Sequence, residues 1–159
     1  MKLSITVTGT LPTGANLNAA FESVLRKSLQ GIGNKLAERA SALAPLKTGD
    51  LTASLKADTV QKHGDQYQVN VSSDIPYALA MEANQVKSPI GPIIYGMGPG
   101  TIAKDAAFSG PEPLGVGGGY ITRAANYNAP LFLLKLKTDL ERGIPAVLGG
   151  GQAAGTITP

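Results

Sequence analysis

The chain has 159 residues, a length typical of one domain, with 14 Lys and Arg residues against 11 Asp and Glu residues. The net charge of +3 is small and the basic residues are scattered, which argues against a nucleic-acid-binding surface. The lack of cysteine excludes disulfides, thiolate catalysis and Cys-based zinc sites, and it fits assembly in a reducing compartment. Without an apolar signal segment or an apolar run of membrane-spanning length, we expect a soluble protein made in the cytoplasm.

The composition also favours a particular kind of surface. Only 16% of the residues are charged, whereas 20 are glycine and 11 are proline. This balance indicates long ordered loops, or surfaces covered by other subunits, rather than a soluble enzyme.

Two patterns near the N-terminus predict the first strand and a long helix. Residues 2–9 alternate apolar and polar side chains, as a half-buried strand does. Residues 16–44 carry apolar side chains at steps of three and four, which predicts one amphipathic helix about 43 Å long, ending before Pro45. Gly31 and Gly33 lie in its middle, where they predict a bend or a close helix–sheet crossing, with a functional hinge as the alternative.

The next elements are short. Thr48 is expected to cap a short turn, and Gly49 suits a backbone that needs a positive φ. Residues 63–65 form a hairpin turn by composition, and the alternation in 66–73 predicts a second strand. Residues 75–83 then predict a short helix.

Residues 84–119 are rich in glycine and proline and carry no predicted element, which is uncommon within a compact domain. The segment nevertheless keeps many large apolar side chains, which a pure linker does not. We therefore expect an arm or loop that orders against another surface, with a solvated loop as the alternative. The candidate interface residues are Ile90, Ile93, Ile94, Tyr95, Met97, Ile102 and Phe108.

The last part of the chain predicts helices at 120–128 and 130–142, either consecutive or as one kinked helix. Asn128 is interpreted as a break and Gly143 as the end. The expected apolar stripe of the second piece consists of Leu133, Leu136, Leu140 and Ile144. Together the elements predict an α+β fold in a single domain, residues 1–144, followed by a flexible tail at 145–159. A small antiparallel sheet is packed by the long N-terminal helix and a C-terminal helix.

Residues that could support catalysis are sparse. The only histidine, His63, lies in a predicted turn, and the acidic residues are spread singly, so neither a triad nor a metal site is supported. The glycine run 115–119 lacks the Lys-Ser/Thr of a P-loop and is interpreted as a joint into the last helix. Ser54 and Ser109 have no evident base. We expect no enzyme activity, no cofactor and no metal.

Three separated motifs carry a family resemblance. APLKTGDLTASL at 44–55 resembles an APxxTGxLxxSI stretch, YALAME at 77–82 resembles YAxxxE, and YITRAA at 120–125 resembles F-hydrophobic-x-R-x-A. In this order they are similar to the small head–tail joining and tail-completion proteins (minor tail components of the neck) of long-tailed bacteriophages. The residues with expected structural roles in the motifs are Pro45, Thr48, Gly49, Leu51, Ser54, Tyr77, Glu82 and Arg123.

The resemblance implies an α+β structural protein of the virion that is assembled in the host cytoplasm and forms a homo-oligomeric ring in the neck or at the top of the tail. Its partners would be further copies and the neighbouring neck, tail-tube or connector proteins, with DNA passing through the ring. Tail completion, tail termination, a head-side adaptor or stopper, and a minor capsid component all stay open. Tyr77 is expected to pack, and Glu82 is expected to pair with a basic group such as Arg123.

Two alternatives come from other functional classes. A small nucleic-acid-binding module would need a basic strip, and its DNA affinity would fall steeply with salt. A cofactor-free hydrolase built on Ser54 and dispersed acids has no motif in its favour.

Overall fold

A computed structural model describes residues 2–8, 15–46, 49–83, 87–88, 91–92, 99–109, 116–143 and 154–158. It confirms the predicted α+β fold, with a small antiparallel sheet, a long N-terminal helix and a C-terminal helix. The helices are α1 (Ala15–Leu43), α2 (Asp50–Ser54), α3 (Ala78–Ala83), α4 (Pro99–Ala106) and α5 (Tyr120–Gly143). The strands are β1 (Lys2–Thr8), β2 (Lys56–Ala57), β3 (Gln61–His63), β4 (Gln66–Ser72), β5 (Lys87–Ser88), β6 (Gly91–Pro92) and β7 (Ala154–Thr158).

The main sheet is built around the two strands with the clearest alternation. β1 and β4 pair antiparallel over their whole length, with Ile5 opposite Val69. β2 and β3 both pair with the other edge of β4, and β7 pairs with the free edge of β1, giving the order β2-β4-β1-β7. Alternate side chains of β4 (Tyr67, Val69 and Val71) are buried, as the period of two predicts.

The expected flexible tail is wrong for residues 154–158, which form β7 and pair antiparallel with β1. β-branched Thr156, Ile157 and Thr158 favour an extended backbone. β1, its partner strand, is about 150 residues away in sequence, so no local sequence pattern predicts the pairing. The strand covers the edge of β1 that β4 leaves open.

The long helix confirms its prediction and carries the core on one stripe. The sheet and α5 pack on this stripe, and its fully buried members recur at steps of three and four: Leu25, Leu29, Ile32, Leu36, Ala40 and Leu43. Of the two glycines, Gly33 marks a close helix–sheet crossing, since a Cβ there would lie 2.6 Å from Val69 Cγ2. Gly31 is open by comparison, with Lys135 Cε at 3.9 Å.

The C-terminal segment forms one helix, which is one of the two predicted forms, but the predicted break at Asn128 is wrong. α5 is continuous through Pro130, and Asn128 is a buried helix-interior residue whose Nδ2 donates to Ala124 O at 2.8 Å. The proline is tolerated because Asn126, whose carbonyl loses its bond to residue 130, lies on the exposed face where water can replace it.

The predicted stripe of α5 is right at Leu136 and Leu140 and wrong at Leu133, which is 40% exposed. Phe132, which is 6% exposed, takes the buried position instead, because the stripe follows the helix through Pro130 rather than starting anew. Ile144 lies outside the described residues. The helix ends at Gly143, as expected.

The interpretation of 84–119 as lacking its own elements is corrected by α4 and by the two-residue strands β5 and β6, which pair as a hairpin. Proline and glycine at the start of α4 hide it from a sequence pattern, although proline is common in a first helical turn. The predicted helix at 75–83 begins at Ala78, after a turn at Pro76 and Tyr77.

Candidate functional site: the junction of three motifs

The three motifs meet around the C-terminal end of α1, and we call this region the motif junction: residues 44–55, 77–82 and 116–125. Its apolar centre is fully buried and consists of Ala44, Leu51, Ala78, Val116, Tyr120, Ile121, Ala124 and Ala125. Hydrogen bonds connect the parts at its edges. The junction therefore belongs to the interior of the fold.

The first motif turns the chain from α1 to the sheet. Gly49 has φ +93° and precedes α2, so the left-handed conformation predicted there is confirmed. Leu51 is 3% exposed, and Ser54 Oγ donates to its carbonyl at 2.9 Å and lies 2.6 Å from Ser73 Oγ. Pro45 is half-buried, and Thr48, the predicted cap, lies outside the described residues. Ser54 thus has a structural bonding pattern rather than that of a nucleophile.

Glu82 joins the second motif to the third. The side chain is 5% exposed, and its two carboxylate oxygens accept hydrogen bonds from Ile121 N at 3.0 Å and Thr122 N at 2.9 Å. The first amides of a helix have no partner within the helix, and its N-terminus favours negative charge. Glu82 therefore caps α5 from another helix, binding the backbone one and two residues before the predicted partner, Arg123.

Two further hydrogen bonds join α3 to the start of α5. The Tyr120 hydroxyl donates to Ala78 O at 3.1 Å, and Gly119 N donates to Glu82 O at 3.0 Å. Burial, together with the nearby Glu82 charge, raises the pKa of Tyr120, which keeps the phenol protonated and able to donate. Tyr77, expected to pack, is 43% exposed.

α4 is fixed to the end of α1 by polar side chains. Thr101 Oγ1 accepts from Leu46 N at 2.9 Å and donates to Leu46 O at 2.8 Å. Lys104 Nζ donates to the carbonyls of Ser41 and Ala44, both at 2.7 Å, and so binds the C-terminal carbonyls of α1. Burial lowers the pKa of Lys104.

A last contact connects α4 to the glycine run. Asp105 Oδ1 accepts from Val116 N at 2.7 Å, and Gly117 N donates to Leu43 O at 2.8 Å. Gly119 has φ +66° and directly precedes α5, so the run does lead into the last helix. These bonds hold α4 and residues 116–119 against the junction.

The predicted interface residues are only partly described. Ile102 on α4 is 57% exposed, whereas Phe108 is half-buried and packs against the core of its own chain. Ile90, Ile93, Ile94, Tyr95 and Met97 lie outside the described residues. Of this set, the structure thus presents Ile102 on the surface.

A second exposed apolar surface escaped the sequence analysis. Tyr127, Leu131 and Leu134 of α5 are 42%, 59% and 61% exposed, and their spacing of four and three puts them on one face. The sequence does carry a signal for this surface, the run Leu-Phe-Leu-Leu at 131–134. A helix with a single buried stripe can bury only part of such a run, so the other apolar side chains are left exposed. We call these three residues the α5 stripe.

A groove runs between α1 and α5 on the side of Gly31. Its volume is about 470 Å³, and it is lined by Val24, Lys27, Ser28, Gly31, Lys135, Asp139, Arg142 and Gly143. Hydrogen bonds from Lys135 and from Ser28, both found in the structure, lower the pKa of Asp139. The carboxylate is therefore already occupied by groups of its own chain.

Two further features of the described ranges concern metal binding and membranes. No group of three or more His, Asp or Glu residues there could hold a metal ion. None of the helices described is both long and apolar enough to pass through a lipid bilayer.

The family comparison agrees with the motifs. Residues 15–82 match the model of the HK97-gp10-like family, described as "Bacteriophage HK97-gp10, putative tail-component". This part of the chain is thus similar to a family of phage tail components. The match covers α1, the first motif, the β3–β4 hairpin and the second motif, and it confirms the resemblance predicted from the sequence. No curated protein and no solved structure matches the chain.

A tail component is part of the virion, so the family match supports a structural role in a phage particle rather than an enzymatic one. The contacts of the motif junction agree with this reading. Among the motif residues, Glu82 caps a helix, Gly49 turns the chain and Leu51 fills the core.

Proposed function

We propose that this protein is a structural component of a phage neck or upper tail, where identical copies form a ring that joins head to tail. The family match over residues 15–82 carries the proposal. In this proposal the ring completes or terminates the tail and contacts neighbouring neck, tail-tube or connector proteins. DNA passes through its lumen without a sequence-specific site.

Two features of the surface support self-assembly. The α5 stripe and Ile102 leave four large apolar side chains between 42% and 61% exposed on a chain with few charges. Exposed apolar groups that cluster on a helix face are typical of protein–protein contacts. Contacts between different surfaces of identical copies close into rings when the rotation between copies allows it.

The location in the particle is the direct test. Particles are prepared in which every copy of the chain carries an affinity tag. The tag is labelled with gold and located by negative-stain electron microscopy. Gold at the head–tail junction is expected. Gold over the capsid surface would instead favour a minor capsid component, and purified particles that lack the chain would overturn the structural role.

A further inference from the structure

The outward face of α5 lacks a partner among the described residues. Its opposite face, with Ile121, Ala125, Phe132 and Leu136, is buried in the core cluster. The α5 stripe runs from residue 127 to residue 134, or about 10 Å of helix at 1.5 Å per residue. Three large apolar side chains protrude in line over that distance, and a second apolar surface can pack against them.

α4 turns polar side chains toward its own chain and apolar side chains outward, the reverse of a typical surface helix. Thr101, which is 2% exposed, and the half-buried Lys104 and Asp105 face its own chain and make the hydrogen bonds described above. Ile102 is 57% exposed, and Ala103 and Ala106 are also exposed. A surface helix normally turns its apolar stripe inward, so the outward apolar face of α4 fits a covered position.

We propose that the α5 stripe of one copy packs on the outward face of α4 of the next copy, which rests on the self-assembly proposed above. The two surfaces complement each other, because one presents three large side chains and the other presents Ile102 beside the small side chains of Ala103 and Ala106. α4, with eight residues, is about 12 Å long and matches the stripe in length. A head-to-tail contact covers both surfaces, whereas a two-fold contact through α5 alone leaves α4 uncovered.

The surroundings of the α5 stripe suit the edge of such a contact. Lys135 pairs with Asp139 at 2.8 Å and Lys137 with Glu141 at 3.8 Å, both within α5. The charges next to the stripe therefore already have partners and can stay hydrated at the rim. An apolar centre with a polar rim is the usual layout of a protein–protein interface.

The absence of cysteine allows a test by disulfide cross-linking in the full chain. Three single variants are made, Ile102→Cys, Leu131→Cys and Leu134→Cys, and Leu79→Cys serves as the control. Leu79 is 62% exposed on α3, as open as Leu134 at 61%, but belongs to neither surface. Each variant alone, and each mixture of two, is oxidised and run on a non-reducing gel, after its unfolding midpoint has been compared with that of the wild type.

The proposal expects a cross-linked dimer when Ile102→Cys is mixed with Leu131→Cys or Leu134→Cys, at least fivefold above the Leu79→Cys mixtures. Disulfides need Cα atoms about 4.4–6.8 Å apart, so two stripe positions are used to cover the register. A double variant of Ile102 and Leu131, or of Ile102 and Leu134, is then expected to give a ladder that ends at the closed ring.

Two results would overturn the proposal. One is efficient dimerisation of Leu131→Cys or Leu134→Cys by itself, which indicates a two-fold α5 contact. The other is mixtures that cross-link no better than the Leu79→Cys control. Neither result touches the proposed role in the neck or tail, which the location of the chain in the particle tests. The contact and the function are thus tested separately.

Discussion

Glu82 is a single motif residue that connects two helices. It lies on α3 but supplies the N-terminal cap of α5, which places a buried charge where two helix amides would otherwise have no acceptor. The acid at this position accepts hydrogen bonds from the start of α5, so its role is structural rather than a sign of catalysis.

Removing the cap is expected to destabilise the protein. Glu82→Ala leaves two amides without a partner, and we expect a loss of about 3 kcal/mol in the free energy of unfolding, since each unpaired buried group costs about 1–3 kcal/mol. Glu82→Gln keeps one oxygen acceptor and is expected to lose about 1–2 kcal/mol. Denaturant unfolding measures both.

The matched control is Glu38→Gln, an exposed acid that pairs with Lys35 at 2.8 Å. Its unfolding free energy is expected to change by less than about 0.5 kcal/mol, because exposed ion pairs contribute little. If Glu82→Gln were as neutral as Glu38→Gln, the capping role would be wrong.

Glu22 predicts a pH dependence. Hydrogen bonds from Arg26 and then Lys62 lower its pKa from the usual 4.5 to about 2. Because the folded state holds the charged form more strongly, this carboxylate stabilises the fold above pH 4.5. The contribution is lost as the pH falls from there through 2.

The corresponding measurement is the thermal midpoint between pH 6 and pH 2. Glu22→Gln is expected to reduce the fall of the midpoint in this range, while Asp139, whose pKa is also lowered, keeps part of the slope. Equal slopes for Glu22→Gln and the wild type would contradict the assignment.

At the scale of elements, the packing of α1 on β4 depends on one glycine. A Cβ at Gly33 would meet Val69 Cγ2 at 2.6 Å and Ala57 Cβ at 3.2 Å, both on strands of the sheet. A Cβ at Gly31, two residues earlier on the same helix, would meet nothing closer than 3.9 Å. The two glycines form a natural pair for comparison.

Gly33→Ala is expected to destabilise by about 1 kcal/mol net, because overpacking costs about 1–3 kcal/mol and the gain in helix propensity returns about 1 kcal/mol. Gly31→Ala keeps that gain without the clash and is expected to stabilise by up to about 1 kcal/mol. Denaturant unfolding of both variants gives the difference. A Gly33→Ala variant as stable as Gly31→Ala would show that the helix and sheet are not in close contact.

The elements also show which parts of the fold a sequence can reveal. α1, β1 and β4 were predictable because each carries its own periodicity, and the positive φ of Gly49 followed from a turn signal. β7 was not predictable, because it depends on a distant strand edge. At Pro130 the sequence left one helix or two open, because the outcome depends on which face of the helix meets water. The same holds for the site: the motif residues were found, but the backbone partners of Glu82 become visible only in three dimensions. The α5 stripe did leave a signal, the apolar run at 131–134.

For the whole molecule, two different exposed apolar surfaces are joined by a well-packed interior. The core consists of α1, α5 and the helix-facing side of β4, whereas the α5 stripe and Ile102 lie outside it. The interior explains why the chain folds, and the two surfaces explain why copies would associate. Polar substitution on the stripe should therefore affect assembly and leave folding nearly unchanged.

That separation predicts the effect of Leu131→Gln combined with Leu134→Gln. Both side chains are about 60% exposed, so the unfolding free energy of the subunit is expected to change by less than about 1 kcal/mol. The oligomer is expected to dissociate at concentrations at which the wild type stays assembled. Sedimentation velocity measures assembly, and Leu79→Gln serves as the matched exposed control. Unchanged sedimentation of the double variant would rule out the stripe as a contact.

Self-association of identical copies is the central claim, and the molar mass of the purified wild-type chain in solution tests it most directly. Light scattering is expected to give one discrete species at a whole-number multiple of the 16.3 kDa subunit mass. A mass of 16.3 kDa at every concentration, from micromolar to millimolar, would contradict it.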